Sequence, residues 1–313
     1  MKTIAFEEHF ITQEFIDAMR STVGFSTSAN TDVLLDMDKG RLKVMDEAGV
    51  DMQVLSFFQP GVQALDVPVG VATAKKINDK LADVVKKYPT RFAGLAAIAP
   101  QAPEEAAKEL ERAVRKLGLK GTSINSHVKG EYLDDRKFRP IFAAAEKLDV
   151  PIYIHPQRPS PELLKSFSAY PVLAGAMAGF AAEVSLHALR LICSGLFDEY
   201  PKLKIVLGHM GEALPYWLWR IDNHWKRDPL SKKLKKTPSQ YIKDNFFITT
   251  SGMFWGPPLM CAYLALGADN ILFAVDYPFE SSQEGVQFIQ SVPICDSDKE
   301  KICHLNAEKL LGL

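Results

Sequence analysis

Short β-rich runs alternate with longer amphipathic segments along this chain, and this alternation constrains the fold more than any other feature. Repeats of strand, helix and strand are typical of βα units, whose strands lie parallel in one sheet. Eight such runs are predicted strands: Thr3–Glu7, Met52–Ser56, Phe92–Ile98, Gly121–Ile124, Ile152–His155, Ile205–Leu207, Phe247–Thr249 and Ile271–Val275. Eight parallel strands favour a closed (β/α)8 TIM barrel, an α/β fold, over an open sheet.

The predicted helices lie between these strands, and examples are Gly70–Lys87, Pro103–Leu117 and Ala181–Ser194. The second of these begins with a proline and two glutamates, which is a typical helix start. The 313 residues would suffice for two average domains, but α/β barrels reach this length as one domain. No Gly/Ser-rich linker divides the sequence, so we predict a single barrel domain over residues 1–313.

Two predicted connections, Thr12–Asp36 and His155–Phe180, are longer than normal βα loops. In a barrel they would lie above the carboxyl ends of the first and fifth strands. Because active sites of such barrels lie on that face, we expect these two segments to be lids or binding loops.

Charge and hydropathy exclude several classes of protein. The 37 basic and 38 acidic residues give a net charge of −1, which provides no general attraction for nucleic acid or an anionic membrane. The N-terminus, MKTIAFEEHF, becomes acidic before a signal peptide can develop, and no run reaches the roughly 18 apolar residues of a membrane span. The four cysteines form no Cys-x-x-Cys pair. These features predict a cytoplasmic protein with free thiols.

The first strand ends in Phe6-Glu7-Glu8-His9. Alternate strand residues share a face, so Glu7 and His9 can converge while Glu8 points away. A carboxylate and an imidazole suit a divalent transition metal. Taken alone, this pair is equally consistent with a structural or surface role.

Two further metal-compatible residues end other predicted strands. His155 ends the fifth strand, where a single histidine is more often a core or turn residue than a ligand. Asp276 ends the eighth, where an aspartate often caps the following helix. However, strands one, five and eight would place these side chains on one face of a barrel. This coincidence predicts a metal site of Glu7, His9, His155 and Asp276.

The sixth strand leads into Gly208-His209-Met210-Gly211-Glu212. The glycines permit close approach of backbone or substrate. Glu212, in the first helical turn, is near enough to hydrogen-bond the His209 imidazole, or it complements the helix dipole. We expect His209 to be functional.

These motifs, in this order, resemble the amidohydrolase-2 branch of the amidohydrolase superfamily, and within it the nonoxidative aromatic acid decarboxylases such as γ-resorcylate and 2,3-dihydroxybenzoate decarboxylases. The similarity extends from the first strand to Asn306-Ala-Glu-Lys-Leu. Further matching segments are Ser185-Leu-His187-Ala-Leu-Arg190, Ser194-Gly-Leu-Phe-Asp198, Trp219-Arg220-Ile and Ile248-Thr-Thr-Ser-Gly252.

The resemblance implies one Zn²⁺ or Mn²⁺ ion held by Glu7, His9, His155 and Asp276, with His209 and Glu212 acting beside it. A binuclear relative would usually have a bridging ligand at the end of the fourth strand, where this chain has Asn125. A single metal ion is therefore expected.

The resemblance also bears on Arg220, whose counterpart in relatives can contact substrate, sometimes across a dimer interface. A surface arginine stacked on a neighbouring tryptophan is the alternative. The content of Trp217, Trp219, Trp225 and Trp255 fits an oligomer interface and equally a core. We expect a homodimer or a homotetramer.

The sequence departs from the resorcylate decarboxylases after the second strand, where Ser56-Phe57-Phe58-Gln59-Pro60 is bulkier, and after His155, where Pro-Gln-Arg158 replaces an arginine directly after the proline. A different substrate pocket is expected. An aromatic wall from Phe57 or Phe58 could stack on a substrate ring, with Phe58 the predicted substrate contact, although one of the two is equally a core residue.

The leading functional hypothesis is therefore a carboxy-lyase that decarboxylates an ortho-hydroxy aromatic acid. The metal ion would bind the carboxylate and the phenolate together, and Asp276 would protonate the ring carbon before CO2 leaves, with His209 and Glu212 polarising the substrate. A metal-dependent hydrolase of a lactone or amide, using an activated water, is the alternative. A noncatalytic binding barrel would leave the clustered ligands unexplained.

Overall fold

The computed structural model describes residues 1–22 and 30–313. All paired strands in this part of the chain are parallel, and neighbours follow the sequence order. The strands are β1 (Ile4–Phe10), β2 (Met52–Phe57), β3 (Phe92–Gly94), β4 (Ala96–Ala97), β5 (Thr122–Asn125), β6 (Ile152–His155), β7 (Ile205–Leu207), β8 (Phe246–Thr249) and β9 (Ile271–Leu272). β3 and β4 occupy a single position in the barrel, interrupted at Leu95, whose N–H still donates to the carbonyl of Leu55 at 2.9 Å.

Backbone hydrogen bonds join β1 to the segment after β9 and close the barrel. Phe6 N–H donates to the carbonyl of Phe273 at 2.9 Å, and His9 N–H donates to that of Tyr277 at 2.8 Å. Asp276 N–H donates to the carbonyl of Glu7 at 2.9 Å. Closure of eight strand positions confirms the predicted TIM barrel.

The helices alternate with the strands. They are α1 (Gln13–Thr22), α2 (Thr31–Leu35), α3 (Lys39–Ala48), α4 (Val67–Lys87), α5 (Pro103–Leu117), α6 (Arg139–Leu148), α7 (Pro161–Leu164), α8 (Gly179–Cys193), α9 (Leu196–Glu199), α10 (Leu214–Trp225), α11 (Pro238–Asn245), α12 (Gly256–Leu266), α13 (Ser282–Ser291), α14 (Asp296–Glu300) and α15 (Asn306–Leu311). The helix predicted at Pro103–Leu117 is confirmed, and the helix predicted from Gly70 begins earlier, at Val67.

The two long connections after β1 and β6 contain helices, which their sequences did not predict. In the first, Thr12–Asp36, the structure has α1 and α2, and residues 23–29 lie outside the described part of the chain. The second, His155–Phe180, contains α7 and two short 3-10 helices, Lys165–Phe167 and Pro171–Ala174, before α8 begins. A role for either segment as a lid stays a prediction.

The barrel interior is filled by buried apolar side chains from alternate strand positions: Ile4, Phe6, Met52, Val54, Ala93, Leu95, Tyr153, Val206, Leu272 and Ala274. The intervening strand residues pack outward against the helices in a second, larger core. This apolar core lies below the carboxyl ends of the strands. Polar side chains that point inward at the carboxyl ends therefore lie directly above buried apolar side chains. Among the described helices none is long and apolar enough to cross a membrane. The cytoplasmic location stays a prediction.

Candidate metal centre

A β-bulge in β1 turns Glu7 into the barrel. Ile4 pairs with Met52 and Ala5 with Gln53, but the next pairs are Glu8 with Leu55 and His9 with Ser56, so β1 contains one extra residue. Simple alternation would leave Glu7 on the outer face beside the helices, because Phe6 points inward. A bulge re-aims the residues that follow it. Glu7 and His9 thereby share the inner face, as predicted.

The outward position of Glu8 is confirmed by its contacts. Its carboxylate accepts the N–H groups of Val275 at 2.9 Å and Tyr277 at 3.2 Å. Burial raises the pKa of Glu8 well above its ordinary value, against the lowering effect of these N–H donors and of Arg41. Glu8 therefore fastens β1 to the last barrel segment and takes no part in the metal cluster.

Glu7, His9, His155 and Asp276 each present one donor atom, and these four atoms lie within 4.8 Å of one another. Glu7 Oε1 lies 3.9 Å from His9 Nε2 and 3.7 Å from His155 Nε2. Asp276 Oδ1 lies 2.9 Å from His9 Nε2. Glu7 Oε1 and His9 Nε2 are buried without any hydrogen-bond partner among the described residues. Burying such polar atoms without a partner costs free energy of folding, and a bound cation would remove this cost by coordinating them. The donor set therefore fits one divalent metal ion.

Hydrogen bonds from the far sides of both imidazoles orient the rings. His155 Nδ1 donates to Asn125 Oδ1 at 3.0 Å, which leaves its Nε2 lone pair facing the cluster. His9 Nδ1 lies 3.1 Å from Ser56 Oγ. Burial and the neighbouring His9 hold the pKa of His155 well below its ordinary value, which keeps the ring neutral. Asn125, expected at the place of a bridging ligand, instead orients His155.

Glu7 uses its two carboxylate oxygens differently. Oε1 is the free donor in the cluster, whereas Oε2 accepts hydrogen bonds from Thr249 Oγ1 at 3.0 Å and from Ser251 Oγ. The sequence analysis predicts no role for either hydroxyl. Their alternation in the segment Thr249-Thr250-Ser251, directly at the end of a strand, was the available signal.

The residues after β7 form a left-handed turn, not the first turn of a right-handed helix. The φ angles are +49° at His209, +56° at Met210, +71° at Gly211, +52° at Glu212 and +65° at Ala213, and α10 begins only at Leu214. Left-handed conformation costs roughly 1–2 kcal/mol for each residue with a Cβ. Strain of this kind concentrates at functional sites. The prediction that Glu212 lies in the first turn of a right-handed helix is therefore wrong. Of these five residues only Gly211 favours positive φ, so the left-handed turn could not be predicted from residue type.

The predicted contact between Glu212 and His209 is present within this turn. His209 Nδ1 lies 2.7 Å from Glu212 Oε1, and His209 Nε2 lies 3.7 Å from both Glu7 Oε1 and Asp276 Oδ2. Burial alone would lower the pKa of His209, but the charges of Glu212 and Glu7 outweigh it and raise the pKa well above the ordinary value. His209 therefore tends to hold a proton beside Asp276.

Asp276 is the most accessible member of the cluster, with 16% of its side chain exposed. It has a φ of +81°, and its carboxylate lies between His9 and His209. Burial raises the pKa of Asp276, but the neighbouring imidazoles of His209 and His9 prevail and lower it below the ordinary value. Asp276 is thus an anion next to a proton-bearing His209.

Phe57 and Phe58 have separate roles. Phe57 is buried, and its ring packs edge-on against Phe10 and Phe15, with centroids 5.3 and 4.9 Å away. Phe58 lies 5.3 Å from the His9 ring and stacks on Phe279 at 4.7 Å. The aromatic wall beside the metal cluster is therefore Phe58 with Phe279, and Phe57 is the core residue. Phe279 was missed, although it follows Asp276 closely in sequence.

Arg220 is not brought to the metal cluster by this chain alone. It is exposed on α10 and, within the described residues, forms no hydrogen bond, ion pair or cation–π contact. The nearby Trp217, Trp219 and Trp255 are 42%, 77% and 65% exposed. Stacking of Arg220 on a tryptophan, the alternative to a substrate contact, is therefore absent from this part of the chain. These three tryptophans are exposed and do not belong to the core.

An apolar cavity of about 490 Å³ adjoins this surface, and its lining includes His209. Its lining includes Met210, Tyr216, Met253 and Trp255. The cavity therefore begins at the exposed side of His209 and continues toward α12.

The chain is similar to proteins of one known family over most of its length. The family model described as Amidohydrolase matches residues 13–313. A γ-resorcylate decarboxylase of Polaromonas sp. strain JS666 is 40% identical over 323 residues, covering 99% of this chain and 98% of the relative.

Solved structures of decarboxylases are also similar to this chain over its whole length. The crystal structure of 5-carboxyvanillate decarboxylase from Sphingomonas paucimobilis matches with a TM-score of 0.95 and 39% identity, covering 100% of this chain and 99% of that one. Dihydroxybenzoic acid decarboxylase from Polaromonas sp. JS666, crystallised with manganese and the inhibitor 2-nitroresorcinol, matches with a TM-score of 0.92 and 40% identity, covering 100% of this chain and 97% of that one.

Proposed function

Since this chain belongs to the amidohydrolase family, we propose that it is a metal-dependent nonoxidative decarboxylase of an ortho-hydroxy aromatic carboxylic acid. The observation that carries this conclusion is the cluster of Glu7, His9, His155 and Asp276, whose free donor atoms converge beside the aromatic wall of Phe58 and Phe279. Relatives about 40% identical over nearly their whole length are named decarboxylases of hydroxylated benzoates.

The cofactor is one divalent metal ion, held by Glu7, His9, His155 and Asp276, and we favour Mn²⁺ because a similar structure contains it. When bound, the ion supplies a Lewis acid that holds the substrate's carboxylate and ortho oxygen together. Phe58 and Phe279 offer the substrate ring an apolar face at the edge of this site.

The order of bond changes follows from the stability of the possible products. Direct loss of CO2 would leave an aryl anion, which is too unstable. If the carbon that carries the carboxylate is protonated first, the electrons of the breaking C–C bond return to the ring, and aromaticity is restored as CO2 leaves. The site must therefore deliver one proton to a ring carbon.

Asp276 delivers this proton, and His209 supplies it. Asp276 is the exposed cluster member, and its Oδ2 lies 3.7 Å from His209 Nε2. The raised pKa of His209 keeps the proton available, and Glu212 holds the ring by its Nδ1 at 2.7 Å. After CO2 leaves, His209 recovers a proton from solvent through its exposed edge.

The exposed aromatic side chains on α10 and Trp255 support assembly as a homodimer or homotetramer. Arg220, which has no partner in the described chain, lies on the same helix. In such an assembly its guanidinium binds the substrate carboxylate, either in its own subunit or in a neighbouring one.

The test is to incubate the Mn²⁺-loaded protein with 2,6-dihydroxybenzoate, orsellinate, 5-carboxyvanillate and a panel of lactones, and to measure CO2 and hydrolysis products. We expect CO2 from at least one ortho-hydroxy acid and none from 4-hydroxybenzoate, which lacks the ortho oxygen. Removal of the metal with a chelator should abolish the reaction. Lactone hydrolysis without CO2 release would instead support the hydrolase.

A further inference from the structure

We propose that Thr249 and Ser251 are positioning residues that make Glu7 a one-oxygen metal ligand, and that Ser251 also links this ligand to the backbone of His209. The metal-binding part of this inference depends only on the cluster, and the catalytic part rests on the proposed decarboxylase function.

The contacts of Glu7 show how the carboxylate is held. Its side chain is fully buried, and both hydroxyls approach the same oxygen, Oε2. Gly208 borders the other side, where an added Cβ would lie 3.0 Å from Oε2. Oε2 is therefore enclosed, and only Oε1 remains free to meet a metal ion.

The protons of the Thr249 and Ser251 hydroxyls and of the His209 N–H suffice for all the hydrogen bonds around Glu7 Oε2. A hydroxyl has one proton to donate and lone pairs to accept. His209 N–H donates to Ser251 Oγ at 3.2 Å, and the Ser251 hydroxyl donates onward to Glu7 Oε2. The Thr249 proton is shared between Glu7 Oε2 at 3.0 Å and Ser251 Oγ at 2.6 Å. Every contact thus has a donor.

Ser251 is the member that connects two functions. It touches the metal ligand Glu7 through its hydroxyl and the first residue of the strained left-handed turn through the His209 N–H. Thr249 touches Glu7 and Ser251 and has no hydrogen bond to His209 within the described residues. The two hydroxyls should therefore have separable effects.

Physical chemistry gives the direction of each effect. Hydrogen bonds to the outer oxygen stabilise the Glu7 carboxylate and stop it from rotating to chelate with both oxygens. Loss of a partner that orients a metal ligand typically weakens metal binding or activity about 10- to 100-fold. Loss of the Ser251 link additionally frees the backbone at His209, which the reaction needs in a fixed place.

The experiment compares Ser251→Ala and Thr249→Val with Thr250→Val as the matched control. Thr250 lies between them, equally buried, but its hydroxyl is bonded to the backbone of Ala274, at 2.9 Å to the carbonyl and 3.0 Å to the N–H. The metal-free full-length proteins are titrated with Mn²⁺ against a chelator, and kcat and KM are measured at saturating Mn²⁺. Thermal unfolding shows whether each variant folds.

We expect Ser251→Ala and Thr249→Val to weaken Mn²⁺ binding about 10- to 100-fold, while Thr250→Val lowers Tm without this loss. At saturating Mn²⁺, Ser251→Ala should lower kcat further than Thr249→Val does, with little change in KM. Thr249→Ser keeps the hydroxyl and should bind Mn²⁺ more tightly than Thr249→Val does. This comparison tests the role of the hydroxyl even if Ser251→Ala does not fold.

Unchanged Mn²⁺ affinity in Thr249→Val, or an equal loss in Thr250→Val, would overturn the proposal. Equal kcat values for Ser251→Ala and Thr249→Val would overturn the link to His209. If no acid is decarboxylated by the parent protein, the proposed function fails, but the Mn²⁺ affinities still decide the role of the two hydroxyls.

Discussion

A buried histidine away from the metal cluster makes the stability of this barrel dependent on pH. His187 on α8 is fully buried. Its Nε2 accepts the N–H of Leu133 at 3.0 Å, so its single proton is on Nδ1, which donates to Ser126 Oγ at 3.1 Å. Ser126 in turn donates to Glu183 Oε1 at 2.9 Å. A second proton on His187 would face the Leu133 N–H, so the fold requires the neutral ring.

Burial, with smaller contributions from His127 and Arg190, lowers the pKa of His187 from 6.5 to about 3. Between these values the unfolded chain binds a proton that the folded chain does not, so stability falls as the pH is lowered. At pH 5 the solution is about 1.5 units below the unfolded pKa, and at about 1.4 kcal/mol per unit the loss relative to neutral pH is about 2 kcal/mol. The loss would continue to grow until the pH approaches 3.

The assay is urea unfolding of the metal-free protein at pH 7.5 and pH 5, for the parent and for His187→Gln. The glutamine removes the titrating group, so the difference in unfolding free energy between the two pH values should shrink by about 2 kcal/mol. Absolute stability of the variant does not matter, because only the pH difference is compared. His224→Gln, at an exposed position on α10, is the control. An unchanged pH difference in His187→Gln would refute the reasoning.

Three further predictions concern the site itself. His155→Ala should lower the Mn²⁺ content measured by elemental analysis, whereas His209→Ala should retain Mn²⁺ and lose turnover; loss of the ion from the second variant would make His209 a ligand. Glu212→Gln removes a charge that raises the pKa of His209, so the alkaline limb of the kcat–pH profile should move to lower pH, and an unmoved limb would argue against His209 as the proton source. Phe58→Ala should raise KM for the aromatic acid with little change in Tm, whereas Phe57→Ala should destabilise the fold by about 3–5 kcal/mol; the reverse pattern would exchange their roles.

The strands were predictable where packing alone decides them. Ile152–His155 and Ile205–Leu207 have the predicted bounds because they are short, buried, β-branched runs. The last strand was predicted to Val275, but regular pairing stops at Leu272. Beyond that residue the N–H of Phe273 donates to the carbonyl of Ile302, and Val275 donates to the side chain of Glu8. These long-range partners have no local signature in the sequence.

The residues that supply the metal-donor atoms could be predicted from the sequence, whereas the backbone conformation that positions them could not. The metal-compatible residues end strands, and their residue types are sufficient to suggest a cluster. Neither the bulge that turns Glu7 inward nor the left-handed turn at His209 follows from propensity, because positive φ at residues other than glycine is disfavoured locally and is imposed by tertiary contacts. The prediction that Glu7 and His9 share the inner face was correct, but it requires a bulge that simple alternation leaves out.

Closure of the barrel by its two ends has a consequence for biosynthesis. Glu8 and Val275, which join the first and last strands, are 267 positions apart in the chain. At typical ribosomal speeds of about 5–20 residues per second, Glu7 and His9 are added to the chain roughly 13–50 s before Asp276. Throughout this interval the metal site lacks Asp276, and for roughly its first half it lacks His155 as well, so we expect metallation to follow release of the finished polypeptide. The ion that this enzyme acquires would then be set by what the surrounding compartment offers a completed barrel.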